Sequence, residues 1–535
     1  MHNPPPTLRP YQHQAIQAVL EARRNGVRRM VVSLPTGSGK TVIFSELARL
    51  ARRQVLVLAH REELLFQARS KLEAALEGQH VVSIERGAER AVANAKVLVC
   101  SIRSLHEERL SAVLRGRDIG LIIYDECHHA AAEDNQRVLR QLGAFDEAWS
   151  GTLLGFTATT IRGDGRGLDT VFEKIVYSRQ LHEMIEDGYL APLRGFRIST
   201  ATDLTKLSPG AGDFQEEELA EAVDIEERNA LVARSIQELA RDRRTVAFCV
   251  TVNHARNLSR SLNALGVPSG IVYGAMPAQA RAEILADFRA GRIQALTNVA
   301  VLTEGFDDPG TSCIAMARPT RSEGLYAQCV GRGTRLHPGK KDCLILDFVD
   351  VSSLSLCSLP SLFGCPRNLD LFGGEVTEAR RVWEAIQLEN PGFELEAAAL
   401  TLPEIQSRAA AFDPLTLAVN EEVRAISANA WFSLGRHGLG LHFLKGKDAP
   451  CEVAVLKRPG RGKIWEVLFD GQLMERFSEM EEAVAAVDYE LEQRGKAVAS
   501  SARPAASWRH DHGEAGMAAE KLQKSMWDRV VQRPR

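Results

Sequence analysis

The chain has 535 residues, 45% of them apolar and 25% charged, with a formal net charge of −3. That balance predicts ordinary folded material of two to four domains rather than a disordered chain, and it does not by itself suggest a nucleic-acid binder, so any nucleic-acid surface must be a local groove. No apolar run approaches the roughly 20 residues of a membrane span. The start, Met1–Pro6, lacks the charged and apolar regions of a secretory leader, and the expected compartment is the cytosol. The nine cysteines are scattered through apolar runs such as Val97–Cys100 and Val246–Val250, which predicts reduced, packed thiols. Cys357 and Cys365, with His510 and His512 far downstream, have no metal-ligand spacing.

From Met30 to about Ile198, short β-branched runs alternate with helical stretches: Met30–Ser33, Val55–Ala59, Val97–Cys100, Leu121–Tyr124 and Leu153–Thr157. That rhythm predicts a parallel sheet with crossover helices. After an acidic helical segment, Phe214–Arg228, a second series follows: Thr245–Val250, Gly270–Tyr273, Ala295–Val299, Cys313–Ala317 and Cys343–Phe348. The expected fold class is α/β, with two tandem parallel-sheet lobes over 1–200 and 201–355 and a helical connector over 356–425. A small α+β module is expected over 426–495, then a basic tail over 496–535. Within the module, Leu441–Phe477 alternates in period two around a Pro459-Gly460 turn. Ser478 and Glu481 form a capping-box pattern opening a helix whose Met480, Ala483, Val484, Val487 and Leu491 share one face.

The run Met30-Val-Val-Ser33 passes into Leu34-Pro35-Thr36-Gly37-Ser38-Gly39-Lys40-Thr41 and then a helix. A strand, a glycine-rich turn and a helix N-terminus in that order surround phosphates with backbone N–H groups. In this pattern Lys40 reaches the β- and γ-phosphates of ATP, Thr41 ligates Mg²⁺, and Gly37 and Gly39 permit the close backbone approach. The general pattern has glycine at position 34, where this chain has leucine. Further on, Leu121-Ile-Ile-Tyr-Asp125-Glu126-Cys-His128 puts two carboxylates at the carboxyl end of a buried strand. Asp125 is expected to hold the metal and Glu126 to orient or deprotonate the attacking water. His128 and His129 are read as linking nucleotide state to a nucleic-acid groove.

These residues resemble the superfamily 2 helicases, and further motifs agree in order and spacing over roughly residues 8–350. The resemblance implies RecA-like lobes. It implies adenine recognition at Leu8-Arg-Pro-Tyr-Gln12, with Gln12 as the base contact and Tyr11 as packing. His60-Arg61 with Gln67, and Ser101 with Arg103, are similar to first-lobe motifs that grip strand phosphates, solvated loops being the alternative. Phe156-Thr157-Ala158-Thr159 is similar to the motif coupling hydrolysis to lobe movement, with Thr160 standing where relatives often have proline. In the second lobe Tyr273-Gly274 with Arg281, Thr297-Asn298, and Thr303 through Asp307 look like its nucleic-acid and nucleotide motifs, Asp307 lying near the ribose or the sensor arginines. Gln328-Cys-Val-Gly-Arg332-Gly-Thr-Arg335 fits the pattern that faces the phosphates, with Arg335 as arginine finger and Arg332 alongside. The wording from Arg318 to Asp347 is closest to RadD-like repair helicases, organellar helicases and type III restriction motors, although the cysteine cluster usual in RadD-like proteins is missing.

The resemblance implies a nucleic-acid-dependent ATPase that translocates on or remodels nucleic acid, with DNA favoured over RNA. An ATP-gated clamp and an RNA helicase are the alternatives. A nuclease-bearing motor finds no paired-acid and lysine pattern in the C-terminal third. Lys457-Arg458-Pro-Gly-Arg461-Gly-Lys463, with Trp465 just beyond, marks the C-terminal module as an accessory nucleic-acid surface or a solvated edge, or as a docking point for a protein partner.

Overall fold

The computed structural model describes residues 8–493 apart from 61, 77, 79, 159–166, 208–212, 304, 353–355, 390–399, 412–422, 424–425, 428, 430, 434–437, 446–448, 458–463 and 470–471. It divides into two compact units, Met1–Arg380 and Arg381–Arg535.

The first unit contains two parallel sheets. The first sheet is built from β1 (Arg29–Ser33), β2 (Gln54–Ala59), β3 (Val82–Glu85), β4 (Val97–Ser101), β5 (Ile119–Asp125), β6 (Thr152–Thr157) and β7 (Lys174–Ser178), in the order β3-β4-β2-β5-β6-β1-β7. The central strands are buried on both faces, which explains why they read as unbroken aliphatic runs. Helices α1 (Pro10–Arg24), α2 (Lys40–Leu50) and α3 (Glu62–Ala75) are among those that cover the sheet, α1 opening on proline, whose missing N–H would be unsatisfied there anyway.

The second sheet holds β8 (Leu193–Asp203), β9 (Thr245–Phe248), β10 (Ser269–Val272), β11 (Ala295–Asn298), β12 (Cys313–Met316) and β13 (Cys343–Val351), in the order β10-β11-β9-β12-β13-β8. Strand β8 pairs in parallel with β13 from Leu193↔Cys343 onward, so the second sheet begins before residue 200. The acidic helical segment forms two helices, Glu216–Val223 and Glu226–Leu239, with Asp224 and Ile225 between them. Cys100, Cys127, Cys249, Cys313, Cys329 and Cys343 are free thiols buried in the two lobes, while Cys357 is only half-buried.

The second unit contains a five-stranded antiparallel sheet, Phe432–Ser433, Gly438–Lys445, Ala449–Lys457, Trp465–Phe469 and Gln472–Phe477, followed by the helix Met480–Gln493. Ala483, Val484, Val487 and Leu491 pack on Leu441, Val455 and Val467, with Met480 at the margin. The helix starts one residue before Glu481, and the Ser478 hydroxyl donates to Glu482 at 3.5 Å in place of the expected cap.

In both parallel sheets the loops that follow the strands' carboxyl ends gather on one edge. That edge carries the residues singled out above: the loop after β1, Asp125 ending β5, Thr157 ending β6, His60 after β2 and Ser101 ending β4.

Candidate active site

The loop Pro35–Gly39 leaves β1 and delivers the chain into α2 at Lys40. Gly37 and Gly39 have φ of 86° and 78°, left-handed conformations that favour a residue without a β-carbon. The hydroxyls of Thr36 and Ser38 are buried and make no hydrogen bond within the protein. Two such hydroxyls beside a helix N-terminus fit an oxygen-rich anionic ligand. Behind the loop, the Tyr11 hydroxyl and the Gln12 amide, the latter at 3.4 Å, both donate to the Ser38 carbonyl, and Gln12 Oε1 accepts from Arg9 N at 3.0 Å. A β-carbon on Gly39 would lie 2.8 Å from Gln12 Nε2. Tyr11 is thus both packed and a support for the loop, and Gln12 is occupied in bracing it.

Lys40 Nζ lies 3.2 Å from Glu126 Oε1, both side chains nearly buried. Glu126 sits at φ 51°, a costly conformation for a residue with a β-carbon. Burial alone would raise this carboxyl, but the Lys40 ammonium and His128 outweigh it and hold it well below the usual carboxylate range. Glu126 Oε2 makes no hydrogen bond and lies 3.4 Å from Nδ1 of His128. Asp125 Oδ1 accepts from Glu126 N at 3.1 Å. Thr41 follows Lys40 in the first turn of α2, so a hydroxyl and a carboxylate, hard oxygen donors suited to Mg²⁺, are supplied by neighbouring segments. Among the described residues no group of three or more His, Cys, Asp or Glu is disposed to hold a metal on its own.

Thr157, fully buried, joins the loop to the histidines: its carbonyl accepts from Leu34 N at 2.9 Å, and its hydroxyl is 3.2 Å from His128 Nδ1. The ring of His129 stands 4.1 Å from that of His128 and 4.5 Å from that of His60, centroid to centroid. His60 Nε2 in turn is 2.7 Å from the Tyr124 hydroxyl. Sequence spacing alone does not pair His60 with His129.

The second sheet closes on the same loop. Thr334 Oγ1 donates to the Thr36 carbonyl at 3.2 Å, and a β-carbon on Gly331 would stand 2.5 Å from Thr36 Cβ. A β-carbon on Gly37 would meet Thr334 Oγ1 at 3.0 Å and Arg335 Cγ at 3.3 Å, so the stem of Arg335 lies over the loop. The Arg335 guanidinium is 3.2 Å from Asp307 Oδ1 and donates to the Phe306 carbonyl at 3.2 Å. Arg332 donates to the same carbonyl at 3.1 Å, and Gln328 is buried in the helix Glu323–Gly331. From α3, Gln67 donates to the Gly305 carbonyl and Lys71 Nζ approaches Asp307 Oδ2 to 3.9 Å. Asp307 is therefore shared between Arg335 and a lysine of the first sheet's layer, a pairing no motif spacing announced.

The expected strand contacts divide. Ser101 is half-buried at the end of β4 and Arg103 is exposed in the turn after it. Arg281 donates to the carbonyls of Gly274 at 3.0 Å and Met276 at 3.3 Å, bracing the loop it was expected to share with a strand. The expectation for Thr297 is corrected: its side chain is fully buried and its hydroxyl donates to the Ala255 carbonyl at 2.9 Å, because its position in β11 faces the helix Val252–Ala264. Arg61, Thr159 and the cations Arg458, Arg461 and Lys463 lie outside the described residues, and nothing is described of the Lys457 side chain.

Residues 6–162 match the family described as the res subunit of type III restriction enzymes, and residues 227–337 match the helicase conserved C-terminal domain. The chain is 34% identical over 450 residues to the putative mitochondrial ATP-dependent helicase irc3 of Schizosaccharomyces pombe, covering 82% of this chain and 72% of that protein. It is also 34% identical over 377 residues to the putative ATP-dependent helicase IRC3 of Saccharomyces cerevisiae, covering 67% of this chain but only 54% of that protein. It is 24% identical over 385 residues to the DNA 3'-5' translocase XPB2 of Sulfurisphaera tokodaii, covering 64% of this chain and 81% of that one.

Proposed function

This chain belongs to the ATP-dependent helicases of superfamily 2, and we propose that it hydrolyses ATP in the cleft between its two sheets to translocate on or remodel DNA. One observation carries the assignment of the site: the loop 35–41, the Asp125-Glu126 strand end and the segment Gly331–Arg335 converge on one another although they are far apart in the chain, with Thr334 bonded across to Thr36. No single surface need explains that convergence, whereas in-line phosphoryl transfer needs all three.

In this mechanism the backbone of Pro35–Gly39 and the N-terminus of α2 hold the phosphates, and Lys40 leaves Glu126 to bind their β- and γ-oxygens. Glu126, freed from Lys40 and ionised, orients the attacking water and takes its proton. Mg²⁺, held by Thr41 and Asp125 with phosphate oxygens, would neutralise the charge that develops there. Arg335 swings its guanidinium from Asp307 toward the phosphates while its stem keeps its place over Gly37, and Arg332 and Gln328 support that segment. Gln12 would exchange its contacts with Ser38 and Arg9 for an adenine when ATP binds. His128 with Thr157, and then His129 against His60, carry the state of Glu126 to the loop after β2, where His60, with Ser101, Arg103 and Gly274, faces the strand; Arg61, next in sequence, is assigned to the same contact by its motif alone. Thr159 continues the segment after Thr157.

DNA is the favoured track, in keeping with the substrate named for the archaeal relative. The sequence reading expects a cytosolic protein, while the fission-yeast relative is named as mitochondrial; no described helix is long and apolar enough to cross a membrane. The second unit, whose sequence carries the cations Lys457, Arg458, Arg461 and Lys463, serves as an accessory phosphate-binding surface or protein-docking module. ATPase assays with matched single-stranded, duplex and forked DNA and RNA, run beside strand displacement, test this function. The rate should rise with DNA above RNA; a rate indifferent to both polymers would overturn it.

A further inference from the structure

Lys340 is not part of any motif read from the sequence, yet its ammonium sits among the backbone carbonyls of the segment that the second sheet contributes to the site. It is presented by a tight turn in which Lys340 N bonds the His337 carbonyl at 3.0 Å around Pro338 and Gly339, the glycine at φ 81°. Its Nζ donates to three backbone carbonyls: Gly333 at 2.5 Å, Arg335 at 2.9 Å and Pro309 at 3.4 Å. An ammonium has three donors, and here all three meet neutral carbonyl oxygens.

Those acceptors come from two segments with linked duties. Gly333 and Arg335 belong to the stretch that leaves the helix Glu323–Gly331, where carbonyls have run out of helical partners and a cation complements the dipole. Pro309 ends the segment Phe306–Pro309, whose Phe306 carbonyl and Asp307 carboxylate receive the guanidinium of Arg335. One ammonium thus fastens the backbone of Arg335 to the segment that holds its side-chain head. The stem between these two anchors is what packs over Gly37.

We propose that Lys340 is a positioning residue for Arg335: it fixes the backbone from which the guanidinium swings, so that the head exchanges Asp307 for the phosphates without the stem leaving the loop. This rests on the assignment of Arg335 to the developing charge. A purely structural lysine would contribute to the stability of the second sheet and to every activity alike. A positioning lysine acts only through Arg335, and that difference is measurable.

The test is a double-mutant cycle on the full chain, reading kcat and KM for ATP at saturating single-stranded DNA, with DNA affinity and melting temperature measured alongside. Lys340→Met should lower kcat roughly 10- to 100-fold, the scale of loss for a catalytic group displaced by about an ångström. KM for ATP and DNA affinity should stay within about threefold of the parent, and Lys340→Arg, which keeps a cation, should recover part of the rate. In the Arg335→Ala background, Lys340→Met should cost no more than about twofold further, because the residue through which it acts is gone. A kcat for Lys340→Met within about twofold of the parent, or a full additional loss in the double variant, overturns the proposal. Normal turnover by Arg335→Ala alone would instead overturn the arginine assignment, and the positioning role with it.

Discussion

Lys40, at the start of α2, and Glu126, just after β5, meet at 3.2 Å on the carboxyl edge of the first sheet. In the proposed mechanism their roles part once ATP binds: Lys40 meets phosphates present in the ground state, whereas Glu126 acts on a water only as bonds change. Lys40→Ala and Glu126→Gln should both abolish turnover, but only the Gln variant should retain near-parent ATP affinity. Calorimetric titration with ATP separates them, and comparable affinity in both variants would falsify this division.

Arg335 waits against Asp307 and the Phe306 carbonyl. Burial lowers its pKa from the usual value while Asp307 and Asp308 oppose that, and the group stays cationic. Arg335→Ala should reduce kcat on the order of a thousandfold with little change in ATP binding. Single-turnover hydrolysis measures it; a fall seen only in Arg332→Ala would move the role to that neighbour.

The His128, His129 and His60 rings form a continuous line from Glu126 toward the loop after β2. Spatial adjacency is not yet coupling, so the useful quantity is the ratio of DNA-stimulated to basal ATPase. His129→Leu should lower that ratio roughly tenfold, of the size typical for coupling energies, while His129→Phe, which keeps a flat ring, should lower it less. Equal ratios in parent and Leu variants would remove His129 from the route.

In the second sheet two buried groups titrate in opposite senses. Burial, with Arg228 nearby, lowers His254 to about 4, and Asp224 only partly offsets it. Its contribution to stability is present above the unfolded value of about 6.5 and is lost as pH falls toward 4. Burial raises Asp347 to about 6 despite hydrogen bonds from the Tyr326 hydroxyl and Leu359 N and the charge of Arg197. Its contribution is present below the unfolded value of about 3.9 and is lost as pH rises through 6. The two oppose each other between about pH 4 and 6. Asp347→Asn should therefore steepen the loss of melting temperature on acidification in that window, and His254→Gln should flatten or reverse it. Parallel pH profiles in the two variants would show that these groups do not govern acid stability.

The family and the chemistry were legible in the sequence because each motif is contiguous and ends a strand: Lys40 and Thr41 after β1, Asp125 and Glu126 at the end of β5. Local spacing and the carboxyl-end rule of parallel sheets place such residues at one edge before any packing is known. Thr297 misled for the opposite reason. A strand covered on both faces is apolar throughout, so its sequence does not say which side a lone hydroxyl takes, and this one serves the Val252–Ala264 helix.

By itself, then, the amino-acid sequence determined two parallel-sheet lobes, the phosphate loop and the acidic pair, because strand periodicity and a glycine-rich turn are set by neighbours along the chain. It did not determine that β8 belongs to the second sheet, that His129 meets His60, that Lys71 shares Asp307 with Arg335, or that Lys340 holds the Gly333 and Arg335 carbonyls. Each of those joins residues separated by many positions, and only the packing of one layer on another brings such groups within the few ångströms over which hydrogen bonds and ion pairs act.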